Sequence, residues 1–349
     1  MPMLTEHLDA VIGVDTHTDS HSAAICDARG AVLAELTVSA DAQGYQQLLD
    51  AALTHCPGPR ILWAVEGTAS HGRGLTTLLT ESGQDVCEVE HPKRSAPRKG
   101  KSDPLDALRA ARGVFTAKRR IQPRRTGTRE ALRLLVNRRD QDVSTRTRVI
   151  NRLKADVLTA PEALRAQLRG LSTAAQVATC ASLRVPRGAD TEMVTRIHVL
   201  RSAARQIRTL GTEIADAETR LIALTKQRAP RLLAETGVGP IVAAQLLITW
   251  SHRDRFTNDG EFAMIGGTAP LEMSSGRNTR HRLNRLGDRN LNNALHTAMM
   301  TRKRCHPETQ TYYTRRLAEG KTPHMIDRCI KRAITRRFFK ILQTLPEEA

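Results

Sequence analysis

AVIGVDTHTDSHSAAICDARGAVLAELTVSA, residues 10–40, holds three apolar runs separated by polar turns. The first run ends at Asp15, and Ala28-Arg29-Gly30 is a turn signal ahead of the third, so the spacing predicts three short strands in a meander. Apolar residues recur at helical spacing in GYQQLLDAALTHC, 44–56, and RILWAVEG, 60–67, is a short apolar strand ending at Glu66. GLTTLLTES, 74–82, follows as a helix and QDVCEVEH, 84–91, as a fifth strand. Strands that start as hairpins and then alternate with helices imply an α/β fold, a mixed sheet covered by helices.

Past Pro123 the composition changes. From Thr128 to about Gln227 strand signals vanish, and Leu132, Leu135, Asp142, Val149 and Leu153 lie close to a heptad-like stripe. This all-α stretch is expected to form a long antiparallel hairpin or coiled coil, serving as a spacer or dimerisation arm or packing as a bundle on its own chain. From Pro230 onward a compact, helix-rich region with glycine turns is expected. Three domains follow: 1–125, 126–228 and 229–349. The longest apolar run, GPIVAAQLLITW at 239–250, suits a buried helix and falls short of the roughly 18 residues of a membrane span. The N-terminus lacks the basic-then-apolar pattern of a secretion signal, so a cytoplasmic location is expected, with no membrane partner. Six cysteines without a C-x-x-C pair are expected to be reduced and structural.

The formal net charge is +18, carried largely by arginine, the side chain suited to bidentate phosphate contact. Such a charge repels itself in a compact fold, so a polyanionic partner is expected, and nucleic acid fits best. Aromatic residues make up only 3% of the chain, which disfavours base stacking. Backbone contact to a duplex or structured RNA suits basic helical stretches such as RSAARQIR, 201–208, and CIKRAITRRFFK, 329–340.

Two acids, Asp103 and Asp106, stand within one of the most basic stretches, RKGKSDPLDALRAAR at 98–112. Ser-Asp-Pro-Leu-Asp is a well-formed helix start, with Asp103 as N-cap and Pro104 as first helical residue. A spacing of three also sets both carboxylates on one face of the first turn. Asp15 and Glu66 end predicted strands, and a parallel pair would bring them to one sheet edge. Four such acids could converge as the oxygen cluster that two-metal phosphoryl chemistry needs. His17 and His21 flank the first acid, and a strand-turn position makes them surface or substrate-facing polar residues rather than ligands.

IGVDTHTDSHSAAI at 12–25, WAVEGTASHG at 63–72 and KSDPLDALRAAR at 101–112 resemble the three acidic motifs of DEDD-type insertion-sequence transposases of the IS110 family. The resemblance extends along nearly the whole chain. It implies an RNase H-like N-terminal domain similar to the RuvC Holliday-junction resolvase, with Mg²⁺ held by Asp15, Glu66, Asp103 and Asp106. It further implies cleavage and rejoining of donor and target DNA, a guide RNA encoded by the element, and a homo-oligomer, dimer or tetramer.

EMSSGRNTRHR, 272–282, is a glycine-containing turn with two hydroxyls, closely followed by Arg277, Arg280, Arg282 and then Arg285. Ser-Ser-Gly is an ordinary turn sequence, but arginines there would neutralise the charge of a phosphoryl-transfer transition state. The resemblance implies a C-terminal serine nucleophile before a glycine, and Ser275 matches better than Ser274. LLAETGVGPIVAAQLL, 232–247, resembles a helix-hairpin-helix turn, in which Gly237 and Gly239 ahead of Pro240 would offer backbone N–H groups to a phosphate. The alternatives are a tight turn between packed helices there, and for the whole chain a non-catalytic nucleic-acid-binding protein of the same fold or an actin-like ATPase.

Overall fold

The structure is a computed structural model and describes residues 7–89, 103–116, 120–272, 281–282, 284 and 287–347. The chain divides into two compact units, one of residues 1–125 and 252–257, the other of 126–251 and 258–349.

The first unit opens with the expected meander: β1 (Ala10–Thr16), β2 (Ser20–Asp27) and β3 (Val32–Ser39) pair antiparallel in sequence. Asp27 closes the second turn by accepting hydrogen bonds from the Arg29 and Ala31 amides, both 2.9 Å, while Gly30 takes a φ of +84°. After α1 (Ala42–His55), β4 (Ile61–Glu66) lies parallel to β1 on its other side, and after α2 (Arg73–Glu81), β5 (Asp85–Val89) extends that parallel edge. The order is β3-β2-β1-β4-β5. Every residue of β1 and β4 is buried, as central strands covered on both faces require.

Alternation of side chains divides the core into two layers. Ile12, Val14, Ala23, Ile25, Trp63 and Val65 pack with Leu48, Ala52, Leu75 and Leu79 of α1 and α2. Val11, Cys26, Leu62, Ala64 and Cys87 pack with Ala111 and Val114 of α3 (Asp103–Thr116) on the other face. This second contact is close enough to dictate a residue: a Cβ on Gly13 would lie 2.1 Å from the Ala107 carbonyl oxygen and 2.4 Å from the Ala111 nitrogen.

A sequence-remote loop completes the unit. In the 252–257 segment Arg255 donates to Glu88 Oε2 at 3.0 Å and to the Gln122 carbonyl, while Arg124 donates to Glu88 Oε1 at 2.8 Å. His252 Nε2 lies 2.8 Å from Gln122 Oε1. Burial, aided by the nearby cations Arg125 and Arg255 and opposed by Asp254, pulls the His252 imidazole from 6.5 down to about 4.

The second unit begins with α4 (Thr128–Leu158), then the short α5 (Glu162–Leu168) and α6 (Thr173–Ser182), then α7 (Thr191–Arg228). The expected antiparallel hairpin of α4 and α7 is present: Arg139 pairs with Glu218 at 2.9 Å, and Arg196 reaches Thr159 at 3.4 Å. Leu153, Val157, Leu164, Leu168, Val177, Cys180, Leu200 and Ala204 form one core in which α5 and α6 are seated. The remainder comprises α8 (Pro230–Leu233), α9 (Pro240–Trp250), α10 (Asp259–Ile265), a ribbon of β6 (Leu271–Glu272) and β7 (His281–Arg282), α11 (Arg289–Cys305), α12 (Pro307–Ala318) and α13 (Pro323–Leu342). Helix α9 is buried from Val242 to Trp250, as its apolar run predicts. No helix among the described residues is long and apolar enough to cross a membrane. Of the six cysteines, all free, Cys26, Cys87 and Cys180 are buried, whereas Cys305 and Cys329 are exposed on α11 and α13 and have no structural role as core residues.

Two outcomes are expected. Gly13→Ala should destabilise the protein by about 3 kcal/mol or more, because backbone on both sides must yield to one methyl group; an unchanged denaturant midpoint would contradict the close packing of α3. The unfolded His252 imidazole titrates near 6.5 and the folded one near 4, so the stability its neutral form contributes is complete above the first value and lost as pH falls towards the second. His252→Gln should therefore flatten the fall in stability over that window, measured by urea unfolding.

Candidate functional site

Strands β1 and β4 are in parallel register up to Val14 and Val65, so the next residues, Asp15 and Glu66, end up abreast on strands about 4.8 Å apart. Alternation sets them on the same face as Gly13 and Ala64, beneath α3. Both are buried, Asp15 at 4% and Glu66 at 6% exposure. Two neighbouring buried carboxylates repel each other and cost several kcal/mol of desolvation unless positive charge is supplied.

Local structure holds the pair rigidly. Thr16 Oγ1 donates to the Glu66 carbonyl at 2.9 Å, tying the two strand ends together. The chain then reverses at Gly67, φ +62°, and returns so close that a Cβ on Gly72 would lie 2.8 Å from the Glu66 carbonyl oxygen. His17 Nε2, itself shielded from solvent, lies 3.2 Å from Asp15 Oδ2, on a side chain that is otherwise partly exposed. His21 differs from its expected surface position. It stands opposite Thr16, on the α1 side of the sheet, fully buried and stacked on Tyr45 at 5.5 Å between ring centroids. Burial pushes its imidazole below the usual range, and His17 and His71 push the same way against the Ser20 carbonyl and Asp15.

Helix α3 runs antiparallel to β1. Ala107 and Ala111 lie on Gly13, whereas Arg112 and Phe115 approach Gly30 at the opposite end of the sheet. Its first turn, which carries Asp103 and Asp106, therefore lies at the sheet edge where Asp15 and Glu66 end their strands. The Asp106 carboxylate forms an ion pair with Arg109. Asp103 opens the helix, and its side chain lies outside the described residues. Among the described residues no group of three or more His, Cys, Asp or Glu is assembled closely enough to hold a metal ion. The donor chemistry of Asp15 and Glu66 nevertheless fits a hard divalent cation, which takes carboxylate oxygens and would neutralise their mutual repulsion.

Ser274, Ser275, Arg277, Arg280 and Arg285 lie outside the described residues, as does the side chain of Arg282. The segments that flank them are firmly held. A Cβ on Gly287 would lie 2.2 Å from the Ile265 carbonyl oxygen, Asn284 donates to the Met264 carbonyl at 2.9 Å, and Asn292 donates to the Gly266 carbonyl at 2.7 Å. Asp288 caps α11 by accepting from the Asn290 and Leu291 amides. Sequence reasoning missed these anchors, although NRLGDRN, 284–290, carries their signal in its Asn, Gly and Asp.

At the turn before α9, Gly237 has a φ of +86°, and a Cβ there would lie 2.6 Å from the Ala298 carbonyl oxygen. Close packing on α11 therefore requires a glycine there. Gly239 is exposed, serves as N-cap of α9, and has open space around it. The adjacent acid, Glu235, is raised by burial but lowered overall by its bonds to Arg337, 2.7 Å, and Arg302, 3.3 Å.

Comparison with known proteins gives this geometry a context. Residues 12–160, which include all four acids, match the DEDD transposase family of IS110, described as a transposase. Residues 229–314, which include the serine pair and its arginines, match the family described as transposase IS116/IS110/IS902. Similar proteins include the 42 kDa protein of insertion element IS900 from Mycobacterium paratuberculosis, 28% identical with 88% of this chain and 89% of the relative covered. The 44.8 kDa protein of insertion element IS116 from Streptomyces clavuligerus is 27% identical, with 91% and 90% covered. The acids and the serine region thus fall in two successive matches to one kind of enzyme acting on DNA, and the chain belongs to the IS110 family of transposases.

Proposed function

We propose that this transposase cleaves and rejoins DNA strands with Mg²⁺ at Asp15, Glu66, Asp103 and Asp106 and with Ser275 as nucleophile. The observation that carries the reading is the burial of Asp15 and Glu66 side by side, at the edge where α3 begins with two further acids. The strand order β3-β2-β1-β4-β5, an antiparallel meander continued by parallel strands, is compatible with an RNase H-like domain.

Bound Mg²⁺ would supply charge neutralisation at the reacting phosphate and its oxygens. The strand ends fix the Asp15 and Glu66 carboxylates before substrate arrives, so little reorganisation is needed in the reaction. Asp106, ion-paired with Arg109 in this structure, would hold the metal from the first turn of α3, and Arg109 would then be available to DNA phosphate. The Ser275 hydroxyl attacks a DNA phosphorus. Its Oγ–P bond forms, the P–O bond to one strand end breaks, and the departing oxygen takes up the proton as a free hydroxyl. The phosphoserine link retains the phosphodiester's energy, and attack by another strand's hydroxyl restores the serine, so no ATP is consumed. Arg277, Arg280, Arg282 and Arg285 neutralise phosphate charge nearby, and Gly237 and Gly239 contribute backbone contact at the turn. An element-encoded guide RNA directs donor and target choice, and the acids and serine act within a homo-oligomer in the cytoplasm. The domains 1–125, 126–228 and 229–349 divide carboxylate site, helical arm and serine region.

Asp15→Asn should reduce metal-dependent DNA cleavage by about 10³-fold or more while DNA affinity stays within a few-fold; undiminished cleavage would remove the carboxylate reading. Ser275→Ala should lose the covalent protein–DNA adduct on a denaturing gel. Survival of the adduct there, with loss in Ser274→Ala, would make Ser274 the nucleophile. Recombination between plasmids carrying the element's ends, with and without RNA transcribed from its flanks, tests the guide: equal yield without RNA would contradict it.

A further inference from the structure

The α4–α7 hairpin distributes its charge unevenly. In residues 128–142 and 211–228, seven Lys or Arg stand against six Asp or Glu, whereas in 143–158 and 191–210 eight stand against two. In the balanced half the arginines of α4 are paired: Arg129 and Arg133 with Glu130, Arg138 with Asp142, Arg139 with Glu218. In the basic half the two acids also have partners, Asp156 with Arg152 and Glu192 with Arg196.

The direction of the remaining bases decides the matter. At about 100° per residue, the buried stripe of α7 through Ile197, Leu200, Ala204 and Ile207 leaves Arg201, Arg205 and Arg208 on one flank and Glu192 with Arg196 on the other. In α4 the buried stripe through Leu153 and Val157 leaves Lys154 on one flank and Arg152 with Asp156 on the other. The helices are antiparallel, and the Arg196–Thr159 bond shows which flanks adjoin. The neutralised pairs therefore share one side of the hairpin. Lys154, Arg201, Arg205 and Arg208 share the other.

None of these four has an acidic partner among the described residues, and Arg205, Arg208 and Lys154 are exposed. The buried Nε of Arg201 has no acceptor among the described residues either. From Arg201 to Arg208 the helix rises about 10.5 Å, a length in which duplex DNA carries about six phosphates. Four cations along that length offset about two-thirds of that charge. Two long helices with fixed side-chain directions suit a rigid duplex better than a flexible strand, and the scarcity of aromatic residues removes base stacking as an alternative.

We propose that this face of the hairpin is a docking surface for the phosphate backbone of duplex DNA, independent of sequence and separate from the carboxylate site. It gives the helical arm a role of its own in a DNA transposase: gripping duplex through phosphate contacts on an element that carries none of the proposed reacting groups.

The test uses the full-length chain without divalent metal and a DNA duplex of arbitrary sequence, with affinity followed against salt. Arg205→Gln/Arg208→Gln should make the slope of log K against log salt shallower by about 1.8, at about 0.9 for each phosphate no longer neutralised. Arg148→Gln/Arg152→Gln, which removes the same charge from the opposite side, should leave the slope unchanged. Circular dichroism confirms folding, and if the double variant is not folded, Arg205→Gln alone should give a change of about 0.9. An unchanged slope, an equal reduction in the opposite-side variant, or a reduction seen with an RNA duplex but not with DNA would each overturn the proposal. Asp15→Asn should keep the wild-type slope, so failure of the carboxylate reading leaves this result untouched.

Discussion

The approach of α3 to β1 at Gly13 governs the first unit. Only a residue without a side chain allows the Ala107 carbonyl and Ala111 nitrogen to lie where a Cβ would otherwise be. That contact fixes the height of the helix above the sheet and, because Ala107 and Ala111 straddle it, its position along the strand. The start of α3 is thereby held at the edge where Asp15 and Glu66 terminate their strands. A wider spacing would let water in over two carboxylates that are now almost wholly buried, and would loosen the one direction in which a helix start can aim further acids.

Charge follows a consistent logic through the molecule. Acids that lie within the structure have cations beside them: Glu88 between Arg124 and Arg255, Glu235 between Arg302 and Arg337, Asp259 against Arg332 and Arg336. Such pairs settle part of the basic excess locally and hold remote segments together. On one flank of the α4–α7 hairpin four cations stand without acidic partners among the described residues, along two rigid helices. Asp15 is instead met by a histidine, which neutralises a carboxylate only when protonated. Stored negative charge at the sheet edge and stored positive charge along the arm are complementary demands, one for a cation and one for a polyanion.

Much of the first unit was legible in sequence because its signals are local. Three apolar runs broken by Asp-Ala-Arg-Gly and His-Thr-Asp-Ser turns give the meander directly, and Glu66 at the end of a short apolar run marks a strand end. The long amphipathic stripes likewise gave the hairpin, though not α5 and α6 seated against it, whose short apolar patterns have meaning only beside Leu200 and Ala204. What remained hidden depends on remote partners. Nothing near Arg255 in sequence indicates Glu88, 167 positions away. The burial of His21 follows from strand phase and from Tyr45 on another element, whereas its neighbours Asp19 and Ser20 suggest a surface. Gly13, read from sequence as one more residue of a strand, proved decisive because of a helix some ninety positions further on.

The most direct measurement is a crystal structure of the protein with Mn²⁺ in place of Mg²⁺, in which anomalous scattering locates the ion. The account predicts a peak about 2.0–2.2 Å from carboxylate oxygens of both Asp15 and Glu66, with Asp106 turned from Arg109 towards it. Absence of a peak at that edge at saturating Mn²⁺, with Asp106 still paired to Arg109, would contradict it.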